Sequence, residues 1–287
     1  MKLLNFIENN GIRLGIRTEQ GIVDVAHTAA VHLKSMPTDM TGVIRHGEEA
    51  LEKLAWLESK AADFIPEEGI VFAPCVTAPE KIICVGLNNI KHIEESNIET
   101  PRFPILFSKF NNALAGNKET VKLPKSAEQY DYEAELVIVI GKEVSCVAED
   151  EALSYVFGYT AGNDLSARDL QFRTGQWLLG KTCDGFAPVG PYLVTADEVD
   201  PNDLDIKCEV NGKLRQSGNT SDLLFDCAAI ISYASEYMTL KPGDIIFTGT
   251  PGGVIMGDPE GSRVWLKPGD IVTVFIEKIG SLTTVLG

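Results

Sequence analysis

No run in this sequence approaches the roughly 18 consecutive apolar residues that a membrane-spanning helix needs. The amino-terminal MKLLNFIENNG offers only five residues between Lys2 and Glu8, interrupted by Asn5, far short of the apolar region of a signal peptide. No basic cluster stands out either, and 41 acidic against 25 basic residues give a formal net charge of -16. Nucleic acid and membrane are therefore not expected as partners, because both reward positive charge. The six cysteines (Cys75, Cys84, Cys146, Cys183, Cys208, Cys227) form no CxxC pair and sit mostly in apolar or strand-like surroundings. They read as reduced core residues. The Gly-rich TGTPGGV lacks the GKS or GKT ending of a phosphate loop, so nucleotide binding is not expected. These absences leave a cytoplasmic enzyme as the expectation.

What is present is a chain of 287 residues, 44% hydrophobic and 23% charged, able to bury a sizeable core. From Met1 to about Phe72 it reads as short strands (KLLNFIE, IRLGIRT, GIVDVA) followed by a helix-prone stretch from Glu48 to Ala62. The segment IPEEGIVFAPCVTAPEK then carries three prolines among charges, the composition of a boundary. A domain edge is expected near Pro74, dividing the chain into 1–74 and 75–287.

Beyond that edge strand signals multiply: IICVGL, ILFSKF, AELVIVIGKEV, YVFGYTAG, DIKCEV, DIIFTGT and IVTVFIE. The helix candidates are DLSARDLQ and Asp222 to Met238, where Leu223, Leu224, Ala228, Ile231 and Ala234 recur at helical spacing. This is an α+β, β-rich pattern rather than alternating βαβ units. Asn211-Gly212 predicts a type I′ hairpin. LKPGDI occurs twice, at Leu240 to Ile245 and Leu266 to Ile271, and reads both times as a Pro-Gly turn launching a strand.

Chemistry first shows in DYEAELVIVIG. Strand alternation puts Asp131, Glu133, Glu135, Val137 and Val139 on one face and Tyr132, Ala134, Leu136, Ile138 and Ile140 on the other. From Leu136 on, both faces are apolar, so the strand is expected to be covered on both sides. Glu133 and Glu135 then stand where the chain enters the interior. Two like charges 4 Å apart repel by roughly 4 kcal/mol at an effective dielectric of 20, so a cation or a shared proton must offset them. Mg²⁺, Mn²⁺ or Ca²⁺ would accept such oxygen ligands, although an ExE pair can also mark the exposed start of a strand. Asp164 offers a third carboxylate in YVFGYTAGNDLSARDLQ. On a helix Asp164, Arg168 and Gln171 would share one stripe, either a surface ion pair or a ligand-facing wall. His92 and Glu95 are three residues apart and share a face if that segment is helical.

From about Lys81 onward the chain resembles the fumarylacetoacetate hydrolase (FAH) family, including its acylpyruvase and oxaloacetate decarboxylase branch. GLNNIKHIEES, DYEAELVIVIGK, GYTAGNDLSARDLQ, GKTCDGFAPVGP, NGKLRQSGNTSDLLF and TGTPGGV carry the resemblance, in the family's order. It implies a mixed β-sandwich roll catalytic domain with a small N-terminal α/β domain, in a homodimer. It places Mg²⁺ or Mn²⁺ on Glu133, Glu135 and Asp164, Lys181 beside the metal, Arg168 and Gln171 facing the substrate, and Thr250 on the substrate carboxylate. By the same match His92 and Glu95 activate water on a mobile lid, though Asn89 stands where an aromatic is usual and Ile90 where a polar residue is frequent.

The activity implied is cleavage of a carbon-carbon bond in a small 2-oxo acid, by acylpyruvate hydrolysis or oxaloacetate decarboxylation. An enolate stabilised by metal and Lys181 would be common to both. Two alternatives use the same residues. One is an isomerase of an unsaturated 2-oxo or 2-hydroxy diacid of the 2-hydroxyhepta-2,4-diene-1,7-dioate type. The other is a non-catalytic metal-binding protein, which would leave Lys181, Arg168 and His92 without a shared purpose.

Overall fold

Every strand expected from the apolar and β-branched runs forms in the computed structural model, which describes residues 1–91 and 99–287. In chain order the strands are β1 (Lys2–Glu8), β2 (Gly11–Thr18), β3 (Gly21–Asp24), β4 (Val71–Ala73), β5 (Ile82–Gly86) and β6 (Ile105–Lys109). There follow β7 (Leu114–Ala115), β8 (Thr120–Val121), β9 (Tyr130–Asp131), β10 (Ala134–Ile140), β11 (Val156–Asn163) and β12 (Ser166–Ala167). The last are β13 (Ala187–Thr195), β14 (Asp205–Val210), β15 (Lys213–Asn219), β16 (Ile245–Phe247), β17 (Ile271–Ile276) and β18 (Gly280–Leu286).

The large mixed sheet runs β3-β2-β1-β13-β11-β10-β16-β5-β6, and a second sheet runs β15-β14-β17-β18-β8. Strand β10 lies between β11 and β16, with all seven residues buried. Its Leu136, Ile138 and Ile140 join one apolar cluster, while Val137 and Val139 join the other. The apolar alternation on both faces is thus the reason that β10 runs through the interior and carries its leading carboxylates there. Strands on either side of Pro74 share the large sheet, since β1 pairs with β13 at Leu3↔Leu193 and with β4 at Asn5↔Ala73. The fold is α+β and rich in strand.

Three local features differ from expectation or sharpen it. Strand β13 was not foreseen, because Pro188 and Pro191 argue against a central strand. A register shift opposite Tyr159 to Ala161 leaves Pro191 out of the pairing with β11. The helix expected over DLSARDLQ shrinks to Arg168–Gln171. The amides that would extend it are already committed: Asp164 N–H donates to Glu133 O at 2.8 Å and Arg168 N–H to Gln129 O at 2.8 Å. The helix expected over Asp222 to Met238 begins only at Cys227, capped by the Asp226 side chain on the Ala229 amide at 2.8 Å. Before it, Asn88 accepts from the amides of Leu224 through its carbonyl and Phe225 through its side chain, both at 2.9 Å.

The turns follow their residues. Asn211 and Gly212 have φ of 52° and 73°, the two positive values that a type I′ hairpin requires. In both LKPGDI copies the aspartate accepts from the lysine amide three residues back, Lys241 to Asp244 at 2.8 Å and Lys267 to Asp270 at 2.9 Å. Each turn then releases a strand, β16 or β17. Among the described residues no helix is long and apolar enough to cross a membrane.

Candidate active site

Sheet register, not a helical stripe, assembles the three carboxylates. Ala134 pairs with Asn163, so the residues just outside that pair, Glu133 and Asp164, stand across from each other where β10 begins and β11 ends. Glu135 follows one alternation later on the Glu133 side of the strand. Oxygens of Glu133, Glu135 and Asp164 lie within 4.8 Å of one another, and the three residues are only 5%, 2% and 1% exposed. Among the described residues they are the one cluster of three or more acidic, His or Cys side chains with ligand spacing.

Buried cations surround them. Lys181 Nζ stands 2.5 Å from Glu133 Oε2 and 2.9 Å from Asp164 Oδ2. Lys109 Nζ stands 2.5 Å from the other oxygen of Asp164 and also donates to the carbonyls of Leu165 and Phe186. Arg168 spans Glu133 at 2.7 Å, Asp131 at 3.0 Å and the Gln171 side-chain oxygen at 2.9 Å. Four buried carboxylates, Asp131 included, thus meet three buried cations. Glu135 has no ion-pair partner among the described residues; it accepts from the Gly249 amide at 2.7 Å. Burial, and then the charges of Asp164 and Glu133, push its carboxyl well above the usual carboxylate range. Burial lowers the pKa of Lys181, but the same two carboxylates outweigh it and the net shift is upward.

The donor set fits a hard divalent cation. All three candidate ligands are carboxylate oxygens, and among the described residues Glu135 is the one of the four buried carboxylates with no ion pair. The carboxylates face a cavity of about 60 Å³, which Thr250, Arg168 and Gln171 also line. A single water needs about 10–15 Å³, so the space suits small groups. Phe107, Phe172, Trp177 and Met256 form its apolar wall. Thr250 Oγ1 accepts from Gln216 Nε2 at 2.8 Å. The structure therefore brings together Glu133, Glu135, Asp164, Arg168, Gln171, Lys181 and Thr250. His92 and Glu95 lie outside the described residues. Next to them Asn89 is buried and Ile90 exposed.

Comparison with known proteins bears on the same residues. Positions 81–286 match the family described as fumarylacetoacetate (FAA) hydrolase C-terminal. The chain belongs to the fumarylacetoacetate hydrolase family. It is 42% identical to the fumarylacetoacetate hydrolase domain-containing protein 2 homolog of Dictyostelium discoideum, over 98% of this chain and 96% of the relative. It is 38% identical to the mitochondrial oxaloacetate tautomerase fahd2 of Xenopus laevis, over 99% of this chain and 89% of that one. Among solved structures, a fumarylacetoacetate hydrolase from Exiguobacterium antarcticum superposes with a TM-score of 0.85 at 33% identity, covering 100% of this chain and 99% of that one. A maleylpyruvate hydrolase from Sphingobium sp. SYK-6 gives 0.81 at 33% identity, covering 100% of both chains. This fumarylacetoacetate hydrolase family member is an enzyme of the kind that acts on ketonic carbon-carbon bonds.

Several residues of the FAH-family site escaped the sequence reading. Asp131 was placed on the right strand face but given no role; it holds Arg168 and accepts from the amides of Ile255 at 2.9 Å and Met256 at 3.0 Å. Lys109 left one signal, a charge closing the apolar run ILFSK, which a solvated strand end explains equally well. Gln216 and Gly249 lie within the motifs NGKLRQSGNTSDLLF and TGTPGGV but were given no role. Arg168 is the keystone: Arg168→Met would take from buried Asp131 its ion pair and from Glu133 one of its ion pairs, so the metal-free protein is expected to lose about 3–5 kcal/mol. Urea unfolding of the variant checks this, and a loss below about 1 kcal/mol, the level of an exposed ion pair, would contradict it.

Proposed function

We propose that this enzyme enolises a small 2-oxo acid around a divalent cation held by Glu133, Glu135 and Asp164, and that its reaction is the tautomerisation of oxaloacetate. The observation that carries this reading is the buried triad itself, in which Glu135 has no ion-pair partner among the described residues. The tautomerase activity named for the Xenopus relative supports the choice of substrate. A bound Mg²⁺ or Mn²⁺ would supply Lewis acidity toward the 2-oxo acid. The chain's own groups do the rest. Lys181, fixed by Glu133 and Asp164, holds an ammonium at the cavity wall where charge on the C2 oxygen would develop. Thr250, positioned by Gln216, and Gln171, positioned by Arg168, offer polar atoms to the substrate carboxylate. The apolar wall of Phe107, Trp177, Phe172 and Met256 limits water around the reacting carbons.

Cleavage of a carbon-carbon bond is the second reading, favoured by the maleylpyruvate hydrolase among the structural relatives. Loss of a proton from C3 and loss of the C3 substituent leave the same electron pair, delocalised onto the C2 oxygen, so one site can serve either. Freshly dissolved enol oxaloacetate, followed in the ultraviolet while pyruvate release is assayed in parallel, separates them. Accelerated loss of enol without pyruvate is the expected result. Pyruvate formed in step with enol loss, or from acetylpyruvate, would assign cleavage instead, and no effect on either compound would remove both readings.

A further inference from the structure

Lys181 stands at the end of a one-turn helix, Leu178–Lys181, that is too short to fix a long side chain by itself. Its surroundings do so. Gly180 presses this turn against the helix Arg168–Gln171: a methyl group there would stand 2.4 Å from Gln171 N and 2.5 Å from Ala167 O. Trp177 begins the turn four residues before Lys181, with helical backbone angles, so the two side chains leave the same side. The Trp177 ring packs against strand β5 at Gly86, where an added methyl would come within 2.5 Å of its Cζ3 and 3.1 Å of its Cη2. On the neighbouring strand Phe107, paired with Cys84, meets Trp177 edge to face with ring centres 5.4 Å apart. The Lys181 ammonium lies over the Phe107 ring, 5.0 Å from its centre.

We propose that Gly86, Trp177 and Phe107 form an aromatic clamp whose task is to position the Lys181 ammonium, with Phe107 as the residue that acts on it directly. The absent side chain at Gly86 gives Trp177 its seat, Trp177 buttresses Phe107, and the ring face adds an attraction for the ammonium to those of the two carboxylates. Glu133 and Asp164 alone would let the flexible lysine stem follow them. The ring makes one ammonium position preferred and keeps water from it. These are positioning residues, and none is a ligand candidate for the cation. The inference rests on the reading of Lys181 as a substrate-facing group.

The test uses Mn²⁺ affinity of the metal-free protein and oxalate affinity of the Mg²⁺-loaded protein, both by titration calorimetry, with oxalate as a planar dianion shaped like the enolate. Phe107→Leu removes the π face. Gly86→Ala displaces Trp177 without backbone strain, since Gly86 has no positive φ. Both variants are expected to bind oxalate about three- to tenfold more weakly, with Mn²⁺ affinity within about twofold of the parent, and Phe107→Tyr to recover most of the loss. Wild-type oxalate binding in Phe107→Leu and Gly86→Ala, when Lys181→Met has lost it, would overturn the clamp. So would a parallel fall in Mn²⁺ affinity, which would assign the rings to building the metal site. Unchanged oxalate binding in Lys181→Met would instead remove the role of Lys181 itself, on which the clamp depends.

Discussion

Glu135→Gln is expected to reduce turnover to the level of EDTA-treated enzyme while leaving the metal-free protein as stable as the parent or more so. Losing an outer partner of a metal ligand commonly costs 10–100-fold in affinity, and losing a ligand should exceed about 100-fold. The stability effect has the opposite sign because Glu135 has no ion pair among the described residues; it accepts from the Gly249 amide, as a glutamine oxygen still can. Glutamine is neutral without taking up a proton, so it removes the cost that burial, and then Glu133 and Asp164, impose on this carboxyl. A relief of about 1 kcal/mol would raise the melting temperature of a protein this size by about 2–4 °C. Glu133→Gln makes the contrast: Glu133 pairs with both Arg168 and Lys181, so the same loss of activity should come with a lower melting temperature. Thermal melts in EDTA compare the two, and a fall with Glu135→Gln as large as that with Glu133→Gln would mean that the triad is balanced without a cation. Buried charge that lowers stability yet is retained is the usual mark of a working site.

Lys181→Met carries the second large effect. A preorganised donor at developing negative charge is worth about 10²–10³ in turnover, and that loss is expected in the rate of enol consumption at saturating Mg²⁺. Mn²⁺ affinity should hold or rise, since the ammonium stands against one oxygen each of Glu133 and Asp164 and a divalent ion must share those carboxylates with it. Turnover and metal affinity thus separate in this variant, whereas in Glu135→Gln they fall together. Equal loss of both in Lys181→Met would make the lysine part of the metal site's scaffold. Methionine retains most of the apolar stem, so a collapse of the fold is not expected to confuse the result.

How much of this was written in the sequence depends on which interaction places each residue. The depth of β10 was legible, because five consecutive apolar residues from Leu136 to Ile140 leave no wet face, and Glu133 and Glu135 travel with it. Asp164 was found by residue type and position, but by the wrong geometry: the helical stripe shared with Arg168 and Gln171 does not form, and the register of β10 with β11 makes the contact instead. Register is a long-range property that a single strand's pattern does not reveal. Lys109 was missed because its partners, Asp164, Leu165 and Phe186, come from distant parts of the chain, and a lysine at a strand end normally points to water. Gly86 and Gly249 were missed for a similar reason, since a glycine needed for close approach looks like any other until its neighbour is known. The hairpin at Asn211-Gly212 and the two LKPGDI turns were legible in full, being decided by local backbone preference.

The central claim is that the triad holds a divalent cation and that this ion and the chain's buried cations together enolise a 2-oxo acid. Exchange of the C3 protons of 2-oxobutanoate, dissolved in D₂O and followed by proton NMR, measures that step without any cleavage chemistry. Exchange is predicted to require added Mg²⁺ or Mn²⁺, to stop with EDTA and resume on reloading, and to be absent in Glu135→Gln. Exchange that continues undiminished in EDTA, or in Glu135→Gln, would contradict the account.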